Sequence, residues 1–361
     1  MPDTLVVTSP HYRTYAAGNV DVSLLFGELE KNVDGVRVAP FSLESAAAGA
    51  YDVIHVYWPE WVITRDHGTL SARRSAEAVL SALTSARRRG AKIVWDANNV
   101  RPHEPVCSEV TAKFFRDFSQ ICDLLLVSNG SLADEFIDEY PALISVRRVH
   151  LGNLNYAGAY PSEGIDRATA RARLGLPPNK RIALAFGVVR RYKNLPILMT
   201  TFRRFSLTTN DEVHLVVAGK ATDVQLRREI EEVAALAPDL FTLDLRSIPE
   251  ELVAVYFRAA DVVLIATSQS VKSGVAGLAM TIGTPVWLPR RGAAIDYADE
   301  VGRPALNLYE GGMTEGIMRK ALSQGAIEAL PTPTALLDGR LGESWRSYAV
   351  RVFAVYRSLF E

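Results

Sequence analysis

The stretch DVVLIATSQSVKSGVAGLAMTIGTPVWLP, Asp261 to Pro289, decides how the chain folds. It opens with a short apolar run, DVVLIAT, that reads as a strand. A polar, small-residue segment follows, and from Ser273-Gly274 the pattern becomes an apolar, helix-like run ending at Gly283. TPVWLP then returns to strand character. Strand, helix and strand in this order point to a parallel sheet. Runs this apolar suit strands covered on both faces. Ser273-Gly274 stands where a helix starts, and the unpaired N–H groups there favour an anion. Gly274 lets such an anion come close to the backbone.

The same alternation runs outward in both directions. Upstream lie the strands RIALAFG, VHLVVAG and FTLDLRS, separated by the helices LPILMTTFRRFS, Thr222 to Ala237, and PEELVAVYFRAA. The first half repeats the pattern with TLVVTS, DVIHVYW, AKIVWDA, the end of FFRDFSQICDLLLVS, and VRRVHLG. Its helices are expected near Asp21–Lys31, Ser71–Arg89 and Ser128–Tyr140, with Ser131 as a cap. The Gly- and Pro-containing stretch NLNYAGAYPSEG reads as the connection between two domains. The expected architecture is α/β, with two Rossmann-like doubly wound domains facing a cleft. Residues 1–160 form the first domain and 161–338 the second. Residues 339–361 form an amphipathic helix that returns to the first domain.

The 361 residues suffice for two domains, and 48% hydrophobic against 22% charged content allows real cores. A net charge of −1 argues against a general nucleic-acid binder, which needs a basic excess to neutralise phosphates. Two cysteines, Cys107 and Cys122, are too few for a disulfide framework or a zinc cluster. The start MPDTLVVTSP has no basic leader before an apolar stretch, and no apolar run reaches about 18 residues, so the chain reads as cytoplasmic.

Ligands of open α/β sheets bind beyond the carboxyl ends of the strands. After RIALAFG come Gly187, Arg190, Arg191 and Lys193; after VHLVVAG come Gly219 and Lys220; after DVVLIAT comes Ser273-Gly274. One loop arginine is usually only solvated. Three strand ends with cationic or N–H donor chemistry imply a phosphate or diphosphate ligand. The chain has no G-x-x-x-x-G-K-[ST] P-loop and no G-x-G-x-x-G after its first strand, which excludes the usual NTPase and dinucleotide signatures.

The segments FGVVRRYKNLP, VVAGKATD, IPEELVAVYFRAADVVLIATS, SGVAGLAMTIGTPVWLP and GAAIDYADEVG follow in order, with DVIHVYWPEW, IVWDANNVRPHE and VRRVHLGN ahead of them. Together they resemble the GT-B-fold glycosyltransferases of the GT4-like group, from about Val6 to Gly302. The resemblance implies that residues 161–338 bind a nucleotide-diphosphate sugar donor and residues 1–160 the acceptor, with the diphosphate on Arg190 and Lys193 and backbone donors from Ser273 and Gly274. It implies no metal or other cofactor, because cations and a helix terminus stabilise the leaving group. It implies a hexosyltransferase acting on a saccharide, lipid-linked or small-molecule acceptor. The E-x7-E pair of many retaining members falls on Ser270 and Leu278, and the typical His of the T-x-H-N segment falls on Asn98. The branch is therefore divergent, and the reading leans to an inverting transfer.

An inverting transfer needs a base for the acceptor hydroxyl. Asp96, His103 and Glu104 in WDANNVRPHE are the candidates, with Asn99 beside the acceptor. Gly18 and Asn19 form a turn after the first strand on the same side, where His11 or Arg13 can meet the acceptor. His150, after VRRV, is a candidate contact to the donor sugar. Trp58, Trp61, Arg73, Arg74 and Arg87–Arg89 suit a peripheral membrane contact; the plainer reading is a solvated basic helix face with packed tryptophans. Two further readings are a non-catalytic nucleotide- or glycan-binding homologue acting as a partner subunit, and a two-domain epimerase.

Overall fold

The apolar runs expected as strands form two all-parallel sheets in the computed structural model of the protein. It describes residues 3–12, 20–63, 68–102, 105–128, 130–152, 155–160, 165–267, 273–301, 305–323 and 344–361. The chain divides into two units, Met1–Leu154 with Glu343–Glu361, and Asn155–Gly342.

In the first unit the strands are β1 (Leu5–Thr8), β2 (Val36–Val38), β3 (Val53–Val56), β4 (Lys92–Ala97), β5 (Leu124–Val127) and β6 (Arg147–His150), in the order β2-β1-β3-β4-β5-β6. Its helices are α1 (Val20–Asn32), α2 (Leu43–Ala48), α3 (Thr69–Arg88), α4 (Ser108–Ser119) and α5 (Gly130–Glu139). Ser131, expected as a cap, lies inside α5. The strand order reverses direction between β1 and β3, and such a switch point opens a crevice at the carboxyl edge of the sheet. On one face of this sheet Trp95 is fully buried, edge-on to Phe118 at 5.1 Å and Phe136 at 5.0 Å. Each such pair adds roughly 1 kcal/mol beyond its buried area.

The second unit holds β7 (Arg181–Phe186), β8 (Val213–Ala218), β9 (Phe241–Asp244), β10 (Val262–Leu264), β11 (Val286–Pro289) and β12 (Leu306–Tyr309). They lie in the order β12-β11-β10-β7-β8-β9, with the switch point between β7 and β10. The helices are α6 (Arg167–Leu174), α7 (Leu195–Ser206), α8 (Val224–Ala235), α9 (Glu250–Ala259), α10 (Gly274–Ile282), α11 (Ala293–Val301) and α12 (Glu315–Ala321).

Aspartates immediately ahead of three strands pin the sheets. Asp52 accepts from Val6 N at 2.6 Å, Asp123 from Ile93 N at 2.9 Å and Asp261 from Ile182 N at 2.6 Å. Each satisfies an amide that the neighbouring strand leaves open at its start. Asp261 also receives Arg171 Nη2 at 2.7 Å, which fastens α6 to the sheet through a buried ion pair. The other Arg171 nitrogens donate to Ala259 O and Pro178 O, so each of its three nitrogens has a hydrogen-bond partner.

The final helix α13 (Trp345–Arg357) rejoins the first unit against α1, as the sequence led us to expect. Ser344 caps it by accepting from Ser347 N at 3.2 Å. Its buried face, Trp345, Tyr348, Ala349, Val352, Phe353 and Tyr356, follows helical spacing. Tyr356 reaches the sheet, where its hydroxyl bonds His55 Nδ1.

Candidate functional site

In the second unit the chain crosses itself at two glycines. Gly187 follows β7 with φ +93°, and Gly219 follows β8 with φ +144°. A Cβ on Gly219 would stand 2.3 Å from Gly187 O, so only glycine fits there. The two loops stay paired past their strands, through Gly187 N to Ala218 O and Val189 N to Lys220 O, both 2.9 Å. Beyond Val189 the segment tightens into a 3-10 turn, Arg191–Lys193, and Asn194 enters α7 with φ 52°. Asn194 Nδ2 donates to Ala266 O at 3.0 Å, tying the loop after β7 to the loop after β10. These two loops flank the switch point.

Lys193 folds back over Gly187. Its Nζ donates to Phe186 O at 3.2 Å, and a Cβ on Gly187 would lie 3.0 Å from it and 3.5 Å from Val275 Cγ2 in the first turn of α10. Burial first, and the nearby charge of Arg190 second, push the Lys193 ammonium down from 10.5 to about 8. Two cations and a helix N-terminus thus share one strand end, an arrangement that favours an anion. Arg191 is engaged elsewhere: it bonds Asp223 at 3.0 Å and Glu229 at 3.3 Å on an exposed surface. Lys220 is exposed on the adjacent loop.

Ser273 caps α10, its Oγ accepting from Ala276 N at 3.3 Å. The small residues after it have a use that the sequence did not reveal. Tyr156 is buried against them, so a Cβ on Gly274 would come within 3.1 Å of its hydroxyl and one on Gly277 within 2.8 Å of its ring. Tyr156 N donates to Thr281 Oγ1 at 3.0 Å and fixes the ring to the helix. Tyr156 went unseen because NLNYAGAY reads as a linker; the only sequence signal was an aromatic in a stretch of small and polar residues. Leu278, at the second E-x7-E position, is 6% exposed, while Ser270 lies outside the described residues.

In the first unit Asp96 sits on β4 at 4% exposure. Its Oδ1 accepts from Asn98 Nδ2 at 3.1 Å and its Oδ2 lies 3.5 Å from His55 Nε2. His55 stacks on Tyr57 at 4.6 Å, and burial, with the Asp96 charge next, raises the Tyr57 phenol well above its ordinary value. Asp96 is thus the anionic centre of a buried cluster that reaches α13 through His55 and Tyr356. Asn99 is half-buried on the following loop, which Tyr140 holds by donating to Val100 O at 2.6 Å. His11, after β1, is buried and uses Nε2 on Trp58 O at 3.1 Å; burial drives its pKa down to about 3 and keeps it neutral. His150 ends β6 in the first unit, exposed, beside the start of α5. His103, Glu104, Gly18, Asn19 and Arg13 lie outside the described residues.

No family model matches the chain. It is 26% identical over 302 residues to a GDP-mannose:glycolipid 4-beta-D-mannosyltransferase of Xanthomonas campestris pv. campestris, covering 82% of this chain and 78% of that protein. Among solved structures it resembles a sucrose-phosphate synthase from Thermosynechococcus elongatus, with TM-score 0.64 at 18% identity over 86% of this chain and 74% of that one. The chain is a GT-B-fold relative of the GT4-like nucleotide-sugar glycosyltransferases. Fold alone does not choose the reaction; the chain also resembles a Listeria monocytogenes protein assigned as a UDP-N-acetylglucosamine 2-epimerase, at TM-score 0.61, 13% identity, 99% of this chain and 97% of that one. Among the described residues no three His, Cys, Asp or Glu side chains are grouped to hold a metal ion, and no helix is long and apolar enough to cross a membrane.

Proposed function

We propose that the chain transfers a hexose, with mannose from GDP-mannose as the first candidate, to a hydroxyl of a glycolipid or other saccharide acceptor. The donor and acceptor classes come from the Xanthomonas relative, which is similar over most of both chains. The observation that carries the donor side is the Lys193 ammonium, held with Arg190 beside Gly187 and the first turn of α10. In the reaction the acceptor hydroxyl oxygen bonds to the anomeric carbon as the bond from that carbon to the diphosphate oxygen breaks; the electron pair leaves on the diphosphate, and the hydroxyl proton passes to a base of the first unit. Arg190, Lys193 and the α10 N–H groups stabilise that charge without a metal, with Gly187 and Gly219 giving the diphosphate room and Lys220 on the next loop. Ser273 keeps the helix end open and ordered by capping it.

The acceptor belongs to the first unit in this reading. Asp96, His103 and Glu104 are the candidate bases, with Asn99, Gly18 and Asn19 as acceptor contacts and the exposed His150 as a contact to the donor sugar. Asp96 already holds Asn98 and neighbours His55, which suits a residue that orders the acceptor loop as well as one that takes a proton. A glycolipid acceptor places the enzyme in the cytoplasm at a membrane face, for which α3 offers exposed Leu70, Arg73 and Arg74. Incubating the protein with GDP-mannose and glycolipid tests the reading: GDP release that depends on acceptor supports it, and no release with GDP-mannose, UDP-glucose or UDP-N-acetylglucosamine opposes it.

The burial of Leu278 where an acidic residue is usual favours a second reading, a non-catalytic nucleotide-binding subunit. That reading requires nucleotide binding without turnover for every donor.

A further inference from the structure

Glu60 occupies the switch point of the first unit and belongs to none of the groups described above. The chain leaves β3 through Tyr57 and Trp58 into a 3-10 turn, Pro59–Val62, while β1 delivers His11 to the same place. His11 meets Trp58 and Trp61 edge-on, at 5.1 and 5.4 Å, so the two diverging loops touch there. Glu60 lies between the tryptophans in sequence, and its Oε2 is buried with no hydrogen-bond partner. An unsatisfied buried oxygen costs about 1–3 kcal/mol and calls for an explanation. Glu60 as a whole, Trp58 and Trp61 are only half-buried, so the turn itself meets solvent.

We propose that this turn is a saccharide subsite of the first unit, in which Glu60 accepts a hydrogen bond from a ring hydroxyl and Trp58 and Trp61 give the ring an apolar wall. Hydroxyl groups above and a C–H face below are what a carboxylate beside indoles can recognise. The subsite rests on the reading that the acceptor carries a sugar, and it names where that sugar binds.

The electrostatic surroundings give the subsite a pH dependence. Burial raises the Glu60 carboxyl from 4.5 to about 7. The turn packs on α3 and α4. On the near half of α3 the charged residues Arg73, Arg74 and Glu77 are exposed, and its buried residues there are Ala72, Ala76 and Val79. On α4, Glu109, Lys113 and Arg116 are exposed, Lys113 pairs with the half-buried Asp117, and Val110, Phe114 and Phe115 are buried. His11 stays neutral down to about pH 3, and the Tyr140 phenol is raised by burial, so neither titrates near pH 7. A hydroxyl that donates to the ionised carboxyl stabilises it, so binding must tighten as pH rises through 7.

The test is tryptophan fluorescence titration with octyl β-glucoside, kept below its micelle concentration, at pH 5.5 and 8.5. The wild type should bind about fivefold more tightly at pH 8.5, the difference of roughly 1 kcal/mol between a charged and a neutral hydrogen-bond acceptor. Glu60→Gln, equal in shape, should bind weakly and equally at both pH values, with unchanged affinity for GDP and UDP. Absence of glucoside binding by the wild type, binding that ignores pH, or the same pH dependence in Glu60→Gln each overturns the subsite. Nucleotide binding without glucoside binding removes this subsite and leaves the donor site standing; glucoside binding without nucleotide binding does the reverse.

Discussion

Replacing Lys193 by methionine should make the empty protein more stable and poorer at holding a diphosphate. The ammonium is forced from 10.5 to about 8 by burial and by Arg190. At about 1.4 kcal/mol per pH unit that depression costs on the order of 3 kcal/mol at neutral pH. The hydrogen bond from Nζ to Phe186 O, 3.2 Å long, returns about 1 kcal/mol. Lys193 is half-buried, so solvent screening trims the rest, and methionine should gain on the order of 1–2 kcal/mol. The sign follows from the charged form being the one the fold penalises. The cost is fully present below pH 8, fades between 8 and 10.5, and is gone above 10.5, where both states are neutral. Urea denaturation of the two proteins at pH 7 and pH 10 reads it directly, with most of the gain lost at pH 10. The same substitution removes a charge-assisted hydrogen bond of about 1.5–3 kcal/mol, so affinity for GDP or UDP should drop roughly ten- to a hundredfold. A destabilised Lys193→Met at pH 7, or one that binds both nucleotides like the wild type, would refute the assignment of a strained, anion-seeking lysine.

Nucleotide affinity of the wild type should fall with pH above 8 and level off ten- to a hundredfold down, because the protonated lysine strengthens binding by that factor, and should stay flat over that range in Lys193→Met. Gly219→Ala should lose about 3 kcal/mol or more in chemical denaturation, since its Cβ would strike Gly187 O at 2.3 Å at a φ of +144°. Arg191→Ala should leave stability and nucleotide affinity at wild-type values, because its pairs to Asp223 and Glu229 lie on the exposed surface.

Much of the fold was legible because parallel strands covered on both faces announce themselves as apolar runs: DVVLIAT, RIALAFG and VHLVVAG each became one strand. The alternation also set the order in which strand ends could meet, which is why Gly187, Lys193 and Ser273 could be placed at strand ends from sequence. What stayed hidden depends on tertiary neighbours. Gly274 looks like room for a ligand, yet Tyr156 from a polar connection fills part of that room and packs on Gly277 as well. RRYK by itself offers three cations; the resemblance singles out Arg190 and Lys193, and the packing gives a physical difference, with Lys193 folded over Gly187 and Arg191 drawn off by Asp223. Asp96, at the end of the strand AKIVWDA, is 4% exposed and in reach of His55, which sequence did not indicate. His55 and Glu60 carried no signal of their own, being one polar residue inside an apolar strand and one acid in an aromatic turn.

The central claim is that the switch point between β7 and β10 holds a nucleoside diphosphate through Arg190 and Lys193. Calorimetric titration of the wild type and of Arg190→Ala with GDP and with UDP at pH 7.5 tests it most directly. Binding of one nucleotide by the wild type, weakened about tenfold or more in Arg190→Ala as expected for loss of a charge-assisted contact, is the predicted result. Failure of the wild type to bind either nucleotide, or equal affinities in the two proteins, would contradict it.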